Sequence, residues 1–228
     1  SIDSPRMVAA GYVAEKIHAN ARVDGRRVAL DGSASAYGAA ATVAGNVTLP
    51  EGKGPLGFDV HGVARHVDLR HLPREVGVPP ASTDVNAAYH VAGSLGPQKA
   101  EPRVHGDLRF EPSTIAGAKV ASGSTAAFAV NGNDIAYKAD ATVADLDLQR
   151  VGTEFGVPAL AVDRYKSTIN GHIVADGHGT TPQSMGLTAR GTLEDTSILG
   201  GRIPQLSFDT TLSRDTMHVK AVGTFADV

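Results

Sequence analysis

The chain repeats part of its own sequence. Residues 68–79 return as residues 147–158, an offset of 147 − 68 = 79 positions, and six of the twelve aligned residues are identical. The identical residues are an Asp-Leu pair, a Glu and a closing Gly-Val-Pro, and we call each copy an Asp-Leu box. Weaker similarity continues downstream, where residues 115–120 resemble residues 198–203. Such repetition predicts an extended array of similar modules rather than a compact enzyme domain.

The repeat divides the chain into three predicted units that together form one continuous β-groove domain. Residues 1–67 are a divergent repeat with an N-terminal lead-in, and residues 68–146 and 147–228 are the two clearer repeats. We expect each unit, of about 80 residues, to contain several strands and one short helix. The opening residues 1–5 look like the interior of a longer chain.

Apolar and polar residues alternate along most of the chain, which is the pattern of half-buried β-strands. In residues 85–92, for example, valine, alanine and tyrosine side chains occupy every second position. Turn residues separate the alternating segments, and Asn131-Gly132 is the strongest hairpin signal among them. The sequence therefore predicts an all-β fold built mainly from antiparallel strands.

Each Asp-Leu box predicts one short helix. The apolar residues of a box are spaced i, i+3 and i+7, and its first aspartate, Asp68 or Asp147, is suited to cap the helix. The glycine before the final Val-Pro, Gly77 or Gly156, is suited to end it. Residues 8–18 have a weaker helical pattern, which a glycine interrupts.

Composition excludes several classes of function. A net charge of −3 gives no electrostatic footprint for nucleic acid. The absence of cysteine removes disulfides and thiolate metal sites, and the apolar segments are shorter than the roughly 20 residues that span a bilayer. Aromatic residues make up only 5% and tryptophan is absent, whereas there are 26 glycines. Small side chains of this kind line an apolar surface thinly and leave space for a ligand.

No arrangement of residues indicates catalysis or a cofactor. The nine histidines include no HExxH pair, and the least unfavourable metal site, His66 with Asp68 and His71, does not share one helical face. Nucleophile-elbow and phosphate-loop motifs are missing from the sequence. The glutamate of each box, Glu75 or Glu154, recurs in both copies, which favours a structural role. We therefore predict that the chain is not an enzyme and binds no metal or cofactor.

Several segments resemble one protein family. Strands with a Gly-x-Leu core recur at residues 93–95, 106–108 and 191–193, and together with the Asp-Leu boxes and residues 36–39 they resemble the AsmA/TamB superfamily of envelope proteins in diderm bacteria. The resemblance implies a β-taco, a long sheet curled into an open half-pipe with an apolar inner face. It also implies a periplasmic protein, anchored in the inner membrane, that carries phospholipids between inner and outer membranes. Some members of this superfamily are linked to outer-membrane protein assembly.

The alternation pattern identifies the residues that would line such a groove. A sheet with one apolar face must cover that face, and no predicted helix is long enough to do so. Phospholipid acyl chains are therefore the expected partner, and neighbouring repeats of the parent chain are expected to pair with the sheet edges. The predicted lipid-groove residues are Val85, Ala87, Tyr89, Val91, Leu108, Phe110, Phe128, Val130, Ile135, Tyr137, Val143, Ile169, Ile173, Leu187, Leu193, Phe208, Leu212, Val219 and Phe225.

Three alternatives remain at this point. The same apolar residues are equally typical of an ordinary sandwich or barrel core. A structural or adhesive β-repeat without ligand would have the same repeats, although such modules usually carry more aromatic residues. A closed barrel that binds one small apolar ligand is less favoured, because the second repeat stops just where a third Asp-Leu box would begin.

Overall fold

Alternating residues and tight turns give this chain one nearly continuous antiparallel sheet. The structure, a computed structural model, describes residues 1–9, 12–74, 78–96, 102–158, 160–179, 184, 186–213 and 216–226. Its strands are β1 (Ile2–Ala9), β2 (Tyr12–Asp24), β3 (Arg27–Ala36), β4 (Ala39–Thr48), β5 (Leu56–Val67), β6 (Thr83–Leu95), β7 (Arg103–Phe110), β8 (Ser113–Ile115), β9 (Ala118–Val120), β10 (Thr125–Asn131), β11 (Asp134–Leu146), β12 (Ile169–His178), β13 (Gly186–Ile198), β14 (Gly201–Ser213) and β15 (Thr216–Ala226). The all-β prediction is confirmed.

Strand order follows the chain except at one place. Strands β1 to β7 and then β10 to β15 each pair with the next strand of the path, always antiparallel. The short strands β8 and β9 pair with each other, and they also pair with β6 and β11 respectively. Six strands, in the order β6, β7, β10, β11, β9 and β8, are therefore paired into a closed ring, a small antiparallel barrel, where the sequence analysis favoured an open half-pipe over a closed barrel. The other strands extend the sheet on both sides of this ring.

The turns follow the residue chemistry of the sequence. Asn131 pairs with Asp134 across a two-residue hairpin turn in which Gly132 has a φ of 62°. A hairpin forms at the predicted place, but its two loop residues are Gly132 and Asn133, and Asn131 is the last residue of β10. A glycine with positive φ as the first loop residue is typical of a type II′ turn rather than of an Asn-Gly type I′ turn. By contrast, the prediction of a weak helix over residues 8–18 was wrong. The described residues of that segment belong to β1 and β2, whose residues pair directly, as Val8 and Val13 do.

The two Asp-Leu boxes form helical segments of different length. Leu69–His71 is a single 3-10 turn, whereas Leu148–Glu154 is an α-helix, which we call α1. A second 3-10 turn, Asp163–Tyr165, follows α1 and packs against it. The predicted residues Glu75 and Gly77 lie outside the described residues. A helix in the second box is thus confirmed, and the first box forms a shorter turn than expected.

The sheet is a single layer over most of its length. In the described residues each strand packs mainly against its hydrogen-bonded neighbours, and outside the closed ring no second sheet or long helix covers either face. The accessible surface is 14391 Å², whereas a compact monomer of this mass exposes about 9,800 Å². The excess, about 4,600 Å², shows how little of this sheet is covered by the chain itself.

Buried residues concentrate where the Asp-Leu boxes meet the sheet. One group lies in and beside the six-strand ring, and the other lies beneath the second box. The first group is Ala81, Thr83, Asn86, Ala87, Ser113, Ala116, Ala118, Val120 and Ser124, and the second is Ser167, Ile169, Thr196, Ile203 and Leu206. Many of these side chains are small or polar, so the sheet is held mainly by backbone pairing and by local polar contacts.

Candidate functional site

Strand register places the predicted groove residues on one face of the sheet. Residues directly opposite each other in antiparallel strands project to the same side. Tyr89 opposes Leu108, Phe128 opposes Tyr137, and the series continues across every strand to β15. We call this side the apolar face. It includes the predicted residues from Val85 to Val219, and Phe225 lies in β15 with its side chain outside the described part of the structure.

The apolar face carries no charge over its central part. In β5–β7 and β10–β13, between the irregular residues near the strand ends, none of the described residues assigned to this face is charged. The charged side chains of these strands lie on the opposite face, which we call the polar face. There Lys138 Nζ lies 3.0 Å from Asp176 Oδ2, and His172 Nε2 lies 2.7 Å from Asp140 Oδ1. Such exposed ion pairs add little stability. They show that the charged side chains of these strands are confined to the polar face.

Aromatic residues of the apolar face lie opposite glycines. The directly opposed pairs are Phe58 with Gly93, Tyr89 with Gly62, Phe128 with Gly106, Tyr137 with Gly177, and Phe208 with Gly191. A Cβ added at Gly177 would lie 2.4 Å from the Tyr137 ring, and one added at Gly106 would lie 2.8 Å from the Phe128 ring. These two rings therefore lie across the bare backbone of the neighbouring strand, which is a known way to fill a glycine position in a sheet. The glycine content thus lets large rings lie flat on the face.

A row of alanines crosses the centre of the apolar face. Ala126, Ala139, Ala175 and Ala189 oppose one another in successive strands. Directly behind this row, a groove of about 870 Å³ runs along the polar face from β7 to β14. Short side chains such as Ala127 form its floor. Its walls are longer charged side chains, which include Arg109, Lys138, Asp140 and Arg190. The sequence predicted an apolar groove, whereas the groove seen here lies on the polar face and has charged side chains as its walls.

Exposure of the apolar face varies along the sheet. Ala87 and Ile169 are buried beside the Asp-Leu boxes, and most of the other predicted residues are half-buried among their neighbours. Val219, in the last strand, is 54% exposed. Soluble monomers rarely expose continuous apolar surface of more than a few hundred Å². Away from the ring and the boxes, the described residues supply no second layer over this face.

Both Asp-Leu boxes are attached to the sheet by the same hydrogen bonds. In the first, Asp68 accepts from the Arg70 N–H at 3.1 Å, and Thr83 Oγ1 accepts from the Leu69 N–H at 3.0 Å. The corresponding bonds of the second box run from the Gln149 N–H to Asp147 at 3.0 Å and from the Leu148 N–H to Ser167 Oγ at 2.9 Å. Capping by the two aspartates is therefore confirmed.

An asparagine stabilises an irregular strand end beside each box. Asn86 Oδ1 accepts from the His66 N–H at 3.0 Å, and Asn170 Oδ1 accepts from the Asp145 N–H at 2.9 Å. His66 and Asp145 have φ values of 56° and 59°, which are unfavourable for non-glycine residues. Each asparagine satisfies a backbone group that the distorted strand leaves unpaired. Sequence reasoning missed this element, although Thr83-Asp84-Val85-Asn86 and Ser167-Thr168-Ile169-Asn170 share a pattern that marks it.

Glu154 joins the second box to the first. Its carboxylate accepts from the Ser82 N–H at 2.7 Å and from Arg150 Nε at 2.7 Å. Burial raises the pKa of Glu154, but the bonds from Arg150 and Ser82 together outweigh burial and leave the pKa below its ordinary value. Gly117 lies so close to Arg150 that an added Cβ would be 2.3 Å from the guanidinium. These contacts fix α1 against the ring, which agrees with the structural role predicted for this glutamate.

Histidines make carboxylate pairs on the surface instead of a metal site. His66 bonds to Asp84 at 3.0 Å, whereas Asp68 lies 3.7 Å from His71. The hypothetical ligands His66, Asp68 and His71 are therefore not brought together, and no group of three suitable ligands exists among the described residues. His90 lies between two aspartates, and its pKa is raised chiefly by the hydrogen bond that its ring donates to Asp59 and further by Asp107. Protonated histidine would strengthen these cross-strand pairs.

Comparison with known proteins gives no relative. No protein-family model matches the chain, and neither a curated protein nor a solved structure matches it. In the described residues, no helix has the length and apolar character needed to cross a membrane.

Proposed function

We propose that this chain shields phospholipid acyl chains on its apolar face as part of a periplasmic lipid-transport protein. One observation carries the proposal: the face is uncharged over many strands, and beyond the end where β8 and β9 close the ring no described element covers it. Burying apolar area is worth about 0.8 kcal/mol for each methylene group. A dozen methylenes on such a face would therefore outweigh the cost of immobilising a flexible chain.

Resemblance to the AsmA/TamB superfamily supplies the cellular setting of the proposal. A parent protein anchored in the inner membrane would carry lipid towards the outer membrane, with neighbouring repeats extending the same face. The three units 1–67, 68–146 and 147–228 and the open half-pipe belong to this proposal. The recurring hydrogen bonds of the Asp-Leu boxes support the units, and no catalytic role is assigned to any residue.

The polar groove changes how the lipid must lie. Because the groove between β7 and β14 faces the charged side, an acyl chain on the apolar face would be held by a broad surface rather than by high walls. The flat rings of Phe128 and Tyr137 suit such a surface, since they offer area without blocking passage. We therefore expect weak selectivity among acyl chains and easy exchange.

Lipid extraction tests the proposal directly. Native mass spectrometry of purified protein should detect bound phospholipid, and the protein should take up a fluorescent phospholipid. Ala175→Lys places a charge at the centre of the apolar face, so lipid uptake should fall at least tenfold. Val174→Lys is the matched control, because this neighbouring residue lies on the polar face beside Asp140, and uptake should be unchanged.

Two results would contradict lipid shielding. Wild-type protein that carries no phospholipid and takes up none would favour a structural or adhesive β-repeat. Equal uptake by Ala175→Lys and wild-type protein would place the lipid somewhere other than the apolar face. Cysteines introduced at Ala189 and at Thr188 would test which face the lipid covers. Added phospholipid should slow labelling of the cysteine at Ala189, on the apolar face, but not of the cysteine at Thr188, on the polar face.

A further inference from the structure

Strands β5 and β11 occupy equivalent positions, because each comes directly before an Asp-Leu box. Each pairs antiparallel with the strand that follows its box, which is β6 for the first box and β12 for the second. The register of each pair slips once, between Ala64 and Val67 in β5 and between Val143 and Leu146 in β11. These positions are equivalent in the repeat, since 143 − 64 = 146 − 67 = 79. The chain therefore contains the same strand pairing twice, and we call it the box junction.

Charged side chains also pair across both box junctions, on the polar face. Asp59 Oδ1 lies 2.9 Å from His90 Nε2 in the first junction. In the second, Lys138 Nζ lies 3.0 Å from Asp176 Oδ2. Exposed pairs of this kind add little stability. They do favour one register over its neighbours, because a shift of the strands would separate the opposite charges.

Strand β15 has the sequence of a strand that precedes a box. Residues 217–221 resemble residues 135–139 of β11, and residues 224–228 resemble residues 142–146, with offsets of 217 − 135 = 224 − 142 = 82 positions. One side of β15 pairs with β14, and no described strand pairs with the other side. Lys220, at the position of the β11 lysine that pairs with β12, is exposed and forms no ion pair among the described residues. β15 thus presents one half of a box junction.

The two outer strands of the sheet differ as edges. β1 has eight residues and contains Pro5. A proline is tolerated in an edge strand where its nitrogen faces away from the neighbouring strand, so the free side of β1 lacks a donor at this position. β15 has eleven residues and no proline, and near its centre Val219 and Val222 are 54% and 79% exposed. A long edge of this kind is a template for a further strand, whereas the edge of β1 is obstructed.

We propose that the free edge of β15 binds an extended polypeptide strand of the β12 type, in the register of the box junction. Such a strand runs antiparallel to β15, has apolar residues at every second position and places a carboxylate opposite Lys220. A second copy of β15 does not fit, because His218 and Lys220 are its only titratable residues and pairing would bring cations together. The inference rests on the repeat units of the proposed function, but it does not depend on lipid shielding.

Peptide binding tests the strand addition. A fluorescent peptide with the sequence of residues 166–178 should bind the full chain, and on binding hydrogen exchange should slow in β15 but not in β1. The offset of 82 places peptide residue Asp176 opposite Lys220, as it lies opposite Lys138 in β11. Lys220→Glu should therefore weaken binding about fivefold, and a peptide with Asp176→Lys should recover that loss. Arg6→Glu reverses an exposed charge on β1 and is the matched control, for which binding should be unchanged.

Methylation of the peptide nitrogens separates strand pairing from other contacts. Alternate N–H groups of an added strand point towards β15 and away from it, so methylating one alternate set should abolish binding and methylating the other should have little effect. Equal effects of the two sets, or protection of β1 instead of β15, would overturn the inference. Self-association that protects β15 and resists the peptide would make a second copy the occupant and would also overturn it. Protein that takes up phospholipid but binds no peptide would contradict strand addition alone, and the reverse result would contradict lipid shielding alone.

Discussion

The two Asp-Leu boxes have the same attachment to the sheet but different helices. In each, an aspartate caps the turn and a hydroxyl from the next strand satisfies the following N–H. The 3-10 turn that the aspartate caps in the first box nevertheless ends at its C-cap Leu72, whereas the helix of the second box continues to Glu154. The difference shows that the cap positions a helix start without setting helix length.

One aligned position accounts for the difference in length. Pro73 of the first box corresponds to Gly152 of the second, because 152 − 79 = 73. Proline disfavours helical geometry in the residue before it, and Leu72 is accordingly extended, with φ −70° and ψ 145°. Gly152 instead lets the chain after α1 return closely, since an added Cβ would lie 2.5 Å from the Ala161 nitrogen. A single residue therefore decides whether a box makes a turn or a packed helix.

Replacing Gly152 by the proline of the first box should have the largest effect on stability. Gly152→Pro would remove a helical N–H, disturb the preceding residue and fill the space needed by residues 160–161, so we expect a loss of at least about 3 kcal/mol in the free energy of unfolding. Chemical denaturation measures this loss. Thr153→Ala, an exposed position in the same helix, should change stability by less than about 0.5 kcal/mol. A similarly small effect of Gly152→Pro would show that α1 is not needed for the fold.

Asn86 and Asn170, the asparagines beside the two boxes, should contribute unequally to the free energy of unfolding. Asn86 is buried and also donates to the Pro112 carbonyl at 3.1 Å, whereas Asn170 is only half-buried. Removing either side chain leaves two backbone groups without their partner, at about 1–3 kcal/mol for each buried group. We expect Asn86→Ala to cost about 3 kcal/mol and Asn170→Ala about half as much. Equal losses in denaturation would mean that burial does not distinguish the two sites.

The hydrogen bond from the Ser82 N–H to Glu154, which joins the second box to the loop after the first, should contribute less to the free energy of unfolding. Glu154→Gln keeps the shape of the side chain but weakens its bonds from the Ser82 N–H and Arg150. Because the side chain is partly exposed, we expect a loss of about 1 kcal/mol. Hydrogen exchange should become faster at Ser82 and around α1 and should remain unchanged in β13. Uniform acceleration throughout the chain would indicate general destabilisation rather than loss of this connection.

Sequence patterns predicted the strands and caps better than the closure of the sheet. Period-two alternation identifies which residues share a face, and the Asn131-Gly132 pair marks the place of a hairpin, although the loop itself is Gly132-Asn133. The ring depends on β8 and β9, which have three residues each and too few positions to show a period. The polar groove depends on side-chain length across six strands, a property of register rather than of local sequence. The two asparagine contacts span 20 and 25 residues along the chain and have no local signal except their repetition.

Lowering the pH should separate the contribution of the Asp68 charge to stability from that of its capping hydrogen bond. We expect this effect to be the smallest. The side-chain hydrogen bond from Arg70 holds the pKa of Asp68 well below its ordinary value, although burial opposes this. A depressed folded-state pKa gives stability that is present above the unfolded pKa of about 4 and is lost as pH falls towards the folded value. Asp68→Asn keeps an acceptor for the Arg70 N–H, so it should cost about 1 kcal/mol at neutral pH and progressively less below pH 4. Denaturation curves across this pH range measure the difference, and a gap between wild type and variant that stays constant in acid would show that the Arg70–Asp68 pair contributes nothing to folding.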